Sequence, residues 1–249
     1  MEIVKPKTFK PELAYSLPKE KKEPIGATEF GRMPDGTSLQ PIGHGRIDNS
    51  VKWIKADKSG VEITGSYGIL KITPVSDETV RVLFYKGTLG NVSALPEEIK
   101  KKEGLKWRVS ESREGVDIIL DKLIVKVVKK TGEVSFYNKS NNLLLTENQM
   151  LPRQFHGTKD VWWEYFDFTK KETLSIRGES DSDWVEVSNS AKYMSHNPKN
   201  RPALLMSNKG YQIMIPEGVH ALLCTIPAYG PYISFEETPY IDYIFRSAR

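Results

Sequence analysis

The chain has 249 residues, 39% hydrophobic and 27% charged, with a formal net charge of +4 from 36 basic and 32 acidic residues. That length holds one large β domain or two small ones, and that composition supports a sizeable buried core. The charge is too small and too scattered for a nucleic-acid surface: the densest basic runs, "PKEKKEP" and "EEIKKKEG", are broken by proline or acidic residues and read as solvated loops.

The stretch up to residue 47 is rich in Pro, Lys and Gly, and its apolar residues follow no period. It reads as an irregular N-terminal arm, with a β domain expected over 48–249. The opening "MEIVKPKTFKPELAYSLPKEKKEP" has no apolar leader core, and no run of about twenty apolar residues spans a membrane. One cysteine, Cys224, sits in the aliphatic run "ALLCTIP". It reads as a buried structural thiol, and together with the missing leader it gives the expectation of a cytoplasmic protein.

From Val51 the pattern switches to period two. Val61 and Ile63, then Leu70 and Ile72, then Val80, Val82 and Phe84 alternate with polar neighbours, and "TPVSDET" turns the chain before the last of these strands. "ALPEEIKKKEG" (94–104) predicts a short helix, with Pro96 in its first turn and lysines near its end. Leu123, Val125 and Val127, the turn "KKTGE", then Val134 and Phe136, the turn "KSNN", and Leu143 to Leu145 make a β-meander. "RPALLMS", "YQIMIP", "HALLCTIP", "YISFEE" and "YIDYIF" continue the style. Short strands and regular turns throughout predict an all-β sandwich.

Local chemical motifs are scarce. His44, His156, His196 and His220 are far apart in sequence, and no metal-ligand spacing is present. Ser66 in "TGSYG" lacks the strand-turn-helix setting of a nucleophile elbow. Glu179, Asp181 and Asp183 in "ESDSDW" read as a polar loop in preference to a glycosidase carboxyl pair, and Asp242 reads as structural. The outstanding feature is "VWWEYFDF". Alternation puts Trp162, Glu164, Phe166 and Phe168 on one face and Trp163, Tyr165 and Asp167 on the other. Such rings pack cores and interfaces, and they also stack on sugars.

The order of these segments resembles the N-terminal β-sandwich domain of glycoside hydrolase family 31, the α-glucosidase and α-xylosidase family. "VEITGSYGILKITPVSDETVRVLFYKG" resembles the domain's opening, and "LIVKVVKKTGEVSFYNKSNNLLLTE" its strand, "tG.i.F.d" turn and following strand. "NRPALLMSNKGYQIMI" is similar to "k.iPfllS.kGYGi.v", and "IDYIF" to "iDYyfi.G". The resemblance covers roughly 50–249.

It implies a mutarotase-like super-sandwich of antiparallel strands that precedes a (β/α)8 barrel carrying both catalytic aspartates. No catalytic residue, metal ligand or cofactor is then expected in this chain. The expected partners are that barrel and an α-linked oligosaccharide, with no nucleic acid or membrane. In the family a loop from this domain reaches the sugar site; its counterpart is "WVEVSNSAKYMSHNPKN", with Ser188, Asn189, Ser190 and Tyr193 as contacts. Trp162 and Trp163 add a candidate aromatic platform. "LSIRGES" departs from the family's "fYGLGE" and keeps Arg177-Gly178-Glu179 as its remnant. Two other readings stay open: a self-sufficient carbohydrate-binding module using the Trp162 to Phe168 rings, and a mutarotase-like epimerase pairing His156 or His220 with Glu164.

Overall fold

Residues 47–156, 161–178, 180, 182–194 and 201–248 are described by a computed structural model of the chain. All but Ile47 of the expected arm lies outside them. Period-two segments become strands wherever the pattern predicts them. In chain order these are β1 (Val51–Asp57), β2 (Gly60–Gly65), β3 (Ile69–Ser76), β4 (Thr79–Tyr85), β5 (Arg108–Glu111), β6 (Gly115–Ile119), β7 (Leu123–Val128), β8 (Val134–Asn138) and β9 (Leu143–Thr146). They continue with β10 (Arg153–His156), β11 (Val161–Tyr165), β12 (Leu174–Arg177), β13 (Trp184–Glu186), β14 (Ala191–Tyr193), β15 (Ala203–Ser207), β16 (Tyr211–Ile215), β17 (His220–Cys224), β18 (Tyr232–Glu236) and β19 (Tyr240–Ser247).

The strands form three antiparallel sheets. A nine-stranded sheet runs β1-β2-β3-β4-β19-β16-β15-β12-β13; a five-stranded sheet runs β10-β11-β18-β17-β14; the meander β5-β6-β7-β8-β9 is a third. The two smaller sheets abut where Glu147 bridges to Phe166 and Asp167 N–H donates to Thr146 O at 2.9 Å. One core takes residues from all three sheets, including Val82 and Phe245 of the large sheet, Val125 and Phe136 of the meander, and Trp162 and Phe235 of the third. Phe136 stacks on Phe245 with centroids 3.9 Å apart, and Phe245 stacks in turn on Tyr211. Such pairs add about 0.5–1.5 kcal/mol each beyond their burial. The all-β sandwich expected from the alternation is therefore the observed architecture.

The predicted helix over 94–104 does not form. Pro96 O accepts from Ile99 N–H at 2.9 Å, closing a single turn, and Lys102 N–H then donates to Val75 O at 2.8 Å, drawing the chain onto β3. The physical reason is burial. Ile99, with Leu95 beside it, covers Val75, Leu204, Met214 and Ile244 on the outer face of the large sheet. Leu89 and Val92 cover Leu83, Tyr85 and Tyr240 in the same way. This drape explains why β4 is buried along its whole length, where a one-sided sheet would alternate.

The turn "KKTGE" shows why a glycine stands at 132. Its φ is +70°, and a Cβ there would lie 2.1 Å from Asn49 O. Only glycine fits both the left-handed backbone and that approach.

Candidate functional site

The resemblance-based contact loop joins the large sheet to the second sheet. β13 pairs with β12, β14 pairs with β17, and Ser188, Asn189 and Ser190 cross between them. Ser190 is the anchored member: its N–H donates to Thr225 Oγ1 at 3.2 Å, and its carbonyl accepts from Thr225 N–H at 2.8 Å. Asn189 takes φ +46°, a left-handed conformation that asparagine tolerates. Ser188 and Asn189 are exposed. Neither side chain has a hydrogen bond to a described residue, so both are available to a ligand. Tyr193 is half-buried on β14, and its hydroxyl donates to Glu236 Oε2 at 3.4 Å. The four residues therefore fall on one connection, with 195–200 outside the described residues.

The tryptophans behave differently. Trp162 is 1% exposed and belongs to the main core, edge-on to Phe84 at 5.4 Å and tilted against Phe155 at 4.4 Å. Trp163 is 4% exposed and packs with Tyr165, Leu222, Cys224 and Tyr232 on the other face of the same sheet. The alternation is as predicted, but both faces are covered, so neither indole offers a platform to a sugar. The accessible indole in this region is Trp184 of β13, 37% exposed and three residues before Val187, where the connection begins. An aromatic beginning a short polar segment was the available signal, and the louder "VWW" obscured it. Burial pushes the Tyr165 phenol up to about 12 and raises the Cys224 thiol, as expected of a structural cysteine.

The remnant "RG" is structural. Arg177 is buried on β12 and donates from Nη1 to Glu98 Oε1 at 3.3 Å and from Nη2 to Pro202 O at 2.5 Å. Asp183 is exposed, with its carboxylate accepting from Ser180 N–H at 3.3 Å; Glu179 and Asp181 lie outside the described residues. Asp242 is fully buried and grips Arg81 at 2.6 and 2.8 Å, a structural role as read from the strand pattern.

A second polar cluster, with two members the sequence reading missed, lies in the core. Arg153 is directly opposite Glu164 across the β10–β11 pair. It nonetheless donates from Nη1 to Glu147 Oε1 at 3.0 Å and from Nη2 to the Gly132 carbonyl, with its guanidinium over the Phe84 ring. Glu147 Oε2 accepts from Val134 N–H at 2.9 Å. Neither Glu164 oxygen forms a well-aligned hydrogen bond, and the Tyr243 hydroxyl beside it forms none either. Burial, and then the charge and contact of Glu147, push the Glu164 carboxyl well above the usual carboxylate range. Glu164 is therefore the carboxyl of this pair whose neutral form the core favours. All four side chains are inaccessible, so the cluster is a feature of the core.

That burial also separates Glu164 from His220. Glu164 shares its face with Trp162, in the core, whereas His220 shares its face with Leu222 and Cys224, on the opposite side of the sheet. The side chain of His156 lies outside the described residues.

No metal-ligating group of three or more His, Cys, Asp or Glu occurs among the described residues, and no helix among them is long and apolar enough to cross a membrane. No protein-family model and no curated protein matches the chain. Solved structures do. A dextranase of glycoside hydrolase family 31 from Flavobacterium johnsoniae, complexed with glucose, matches with a TM-score of 0.68 at 16% identity, over 82% of this chain and 27% of its own. A family 31 α-xylosidase from a soil metagenome, complexed with xylose, matches with 0.64 at 18% identity, over 79% of this chain and 32% of its own. The cycloalternan-forming enzyme of Listeria monocytogenes, complexed with a pentasaccharide substrate, matches with 0.62 at 14% identity, over 80% of this chain and 21% of its own. The chain thus spans between a fifth and a third of these enzymes. At such identities the likeness is one of fold: this chain has the fold of a part of family 31 enzymes.

Proposed function

We propose that the chain is the non-catalytic N-terminal β-sandwich domain of a family 31 glycoside hydrolase of α-glucosidase or α-xylosidase type. It supports a (β/α)8 catalytic barrel and lends the connection around Ser188, Asn189, Ser190 and Tyr193 to the binding of an α-linked oligosaccharide. The observation that carries the reading is the fold match, which takes in about four-fifths of this chain and at most a third of each enzyme. The ordered motifs from Val61 to Phe245 support it independently. The connection is suited to the role because Ser190 is pinned to Thr225 while Ser188 and Asn189 stay open. The stand-alone binding-module reading loses its residues, since Trp162 and Trp163 are buried.

The reading frame beyond the Arg249 codon tests this proposal. A barrel with two family aspartates, in the same polypeptide or in an adjoining gene, is the expected finding. An adjoining sequence without any barrel would count against it.

A further inference from the structure

The basic run that reads as a solvated loop in the sequence takes on another aspect in the fold. The segment 101–109 passes beside the β1–β2 hairpin and encloses an open groove of about 1070 Å3 with Ala56–Ser59 and Pro74. Trp107 is half-buried there, packed on the core from one side, so its indole is rigidly held. Lys58, Lys101, Lys102, Lys106 and Arg108 face Asp57 and Glu103 around this groove. Two of these charges are already engaged: Lys102 pairs with Asp77, and Asp57 accepts from Ser59 N–H at 2.7 Å and from its hydroxyl at 2.6 Å. Lys58, Lys101, Lys106 and Arg108 are exposed, and none has an ion pair with a described residue. Four cations without an ion pair thus stand against two carboxylates, Asp57 and Glu103, around one indole, a surplus of positive charge. β1 and β13 are the two edges of the nine-stranded sheet. Eight strand spacings of about 4.8 Å put this groove roughly 38 Å across the sheet from the connection that β13 feeds.

We infer that this groove binds an acidic oligosaccharide, a chain of uronic acid residues whose carboxylates meet Lys58, Lys101, Lys106 and Arg108 while one sugar ring stacks on Trp107. Clustered cations that lack partners raise the local concentration of an anion and hold it most strongly at low salt. A single rigid indole gives one ring a stacking surface. An acidic peptide fits less well. The strands lining the groove carry Lys55 and Arg108, the charged edge residues that oppose strand addition, and the apolar surface is one indole in place of a row of pockets. The anion-binding part stands on charge alone; the choice of a saccharide rests on the proposed glycoside hydrolase reading.

Calorimetric titration of the whole chain with a galacturonate hexamer, maltohexaose and a glutamate hexapeptide tests the inference. The galacturonate hexamer is expected to bind at low salt and to weaken steeply as salt rises, with no binding of maltohexaose. Lys101→Glu/Lys106→Glu should weaken it by about tenfold or more. Trp107→Leu, which preserves an apolar side chain on the core, should weaken the saccharide and leave the peptide unchanged. The inference is overturned if the galacturonate hexamer fails to bind, if charge reversal leaves its affinity intact, or if the glutamate peptide binds as tightly. None of these results depends on whether a barrel is encoded downstream.

Discussion

Two buried arginines in this molecule face the same problem and solve it differently. Arg81, on the outer face of the large sheet, gives Asp242 a two-pronged grip and spends a further N–H on Ser93 O at 2.7 Å. One charge meets one charge, and the loop that covers the sheet is tied in as well. Arg153, in the core, meets Glu147 and the Gly132 carbonyl, and a second carboxyl, Glu164, is left beside them. The first site is closed by pairing. The second closes only by keeping a proton, because two carboxylates and one guanidinium leave an uncompensated charge in a medium that tolerates none. Burial raises the Asp242 carboxyl while Arg81 draws it back down, whereas burial and Glu147 both push Glu164 upward, so the stronger pH dependence falls on Glu164.

Variants break this comparison in order of size. Arg153→Met should cost most, about 3–5 kcal/mol in urea unfolding, because it strands Glu147 next to Glu164 in the core. Asp242→Ala should cost somewhat less, about 2–4 kcal/mol. Arg81 keeps its bond to Ser93 O, and its side chain is 11% exposed, so water can reach the freed charge. Equal losses in the two variants would mean that the two sites hold their charge equally well.

Glu164→Gln sharpens the contrast through pH. The unfolded chain ionises Glu164 near its ordinary 4.5, whereas the folded chain holds it protonated well above that. The unfolded state therefore binds fewer protons in that window, and stability falls as pH rises, by up to about 1.4 kcal/mol per pH unit. The expected outcome is that Glu164→Gln flattens the fall of stability as pH rises above the ordinary carboxyl value of 4.5, and gains on the parent chain as pH rises. An unchanged slope would mean that Glu164 is not the protonated group. Ser188→Ala should have the smallest effect, within about 0.5 kcal/mol on stability, since the hydroxyl is exposed and bonded to no described residue.

Alternation made most of the fold legible, because a strand with one face on a core prints that face at every second residue. Val61, Ile63, Leu70, Ile72 and the meander from Leu123 all obey it. The segment 94–104 misled because its proline, acidic start and basic end are helix-like locally, while the need to cover Val75 and Met214 is invisible locally. Trp162 and Trp163 misled for a related reason. Alternation sorted them onto two faces, yet it carries no information on whether a second layer covers the outer face, here the segment through Ile226. The buried cluster was half legible: Glu164 already stood on the face of Trp162 and Phe166. Arg153 and Glu147 gave no signal, since each sits at the margin of a strand, where charged residues are ordinarily solvated.

On the proposed function, this sandwich contributes to sugar binding without performing catalysis. Hydrolysis of aryl α-glucosides and α-xylosides is measured for the chain alone and for a polypeptide that joins it to the proposed barrel, each as parent and as Ser188→Ala/Asn189→Ala/Tyr193→Phe. No turnover is expected from the chain alone. In the joined polypeptide the variant should raise KM and leave the protein folded. Turnover by the isolated chain, or a joined variant with unchanged kinetics, would contradict the proposed function.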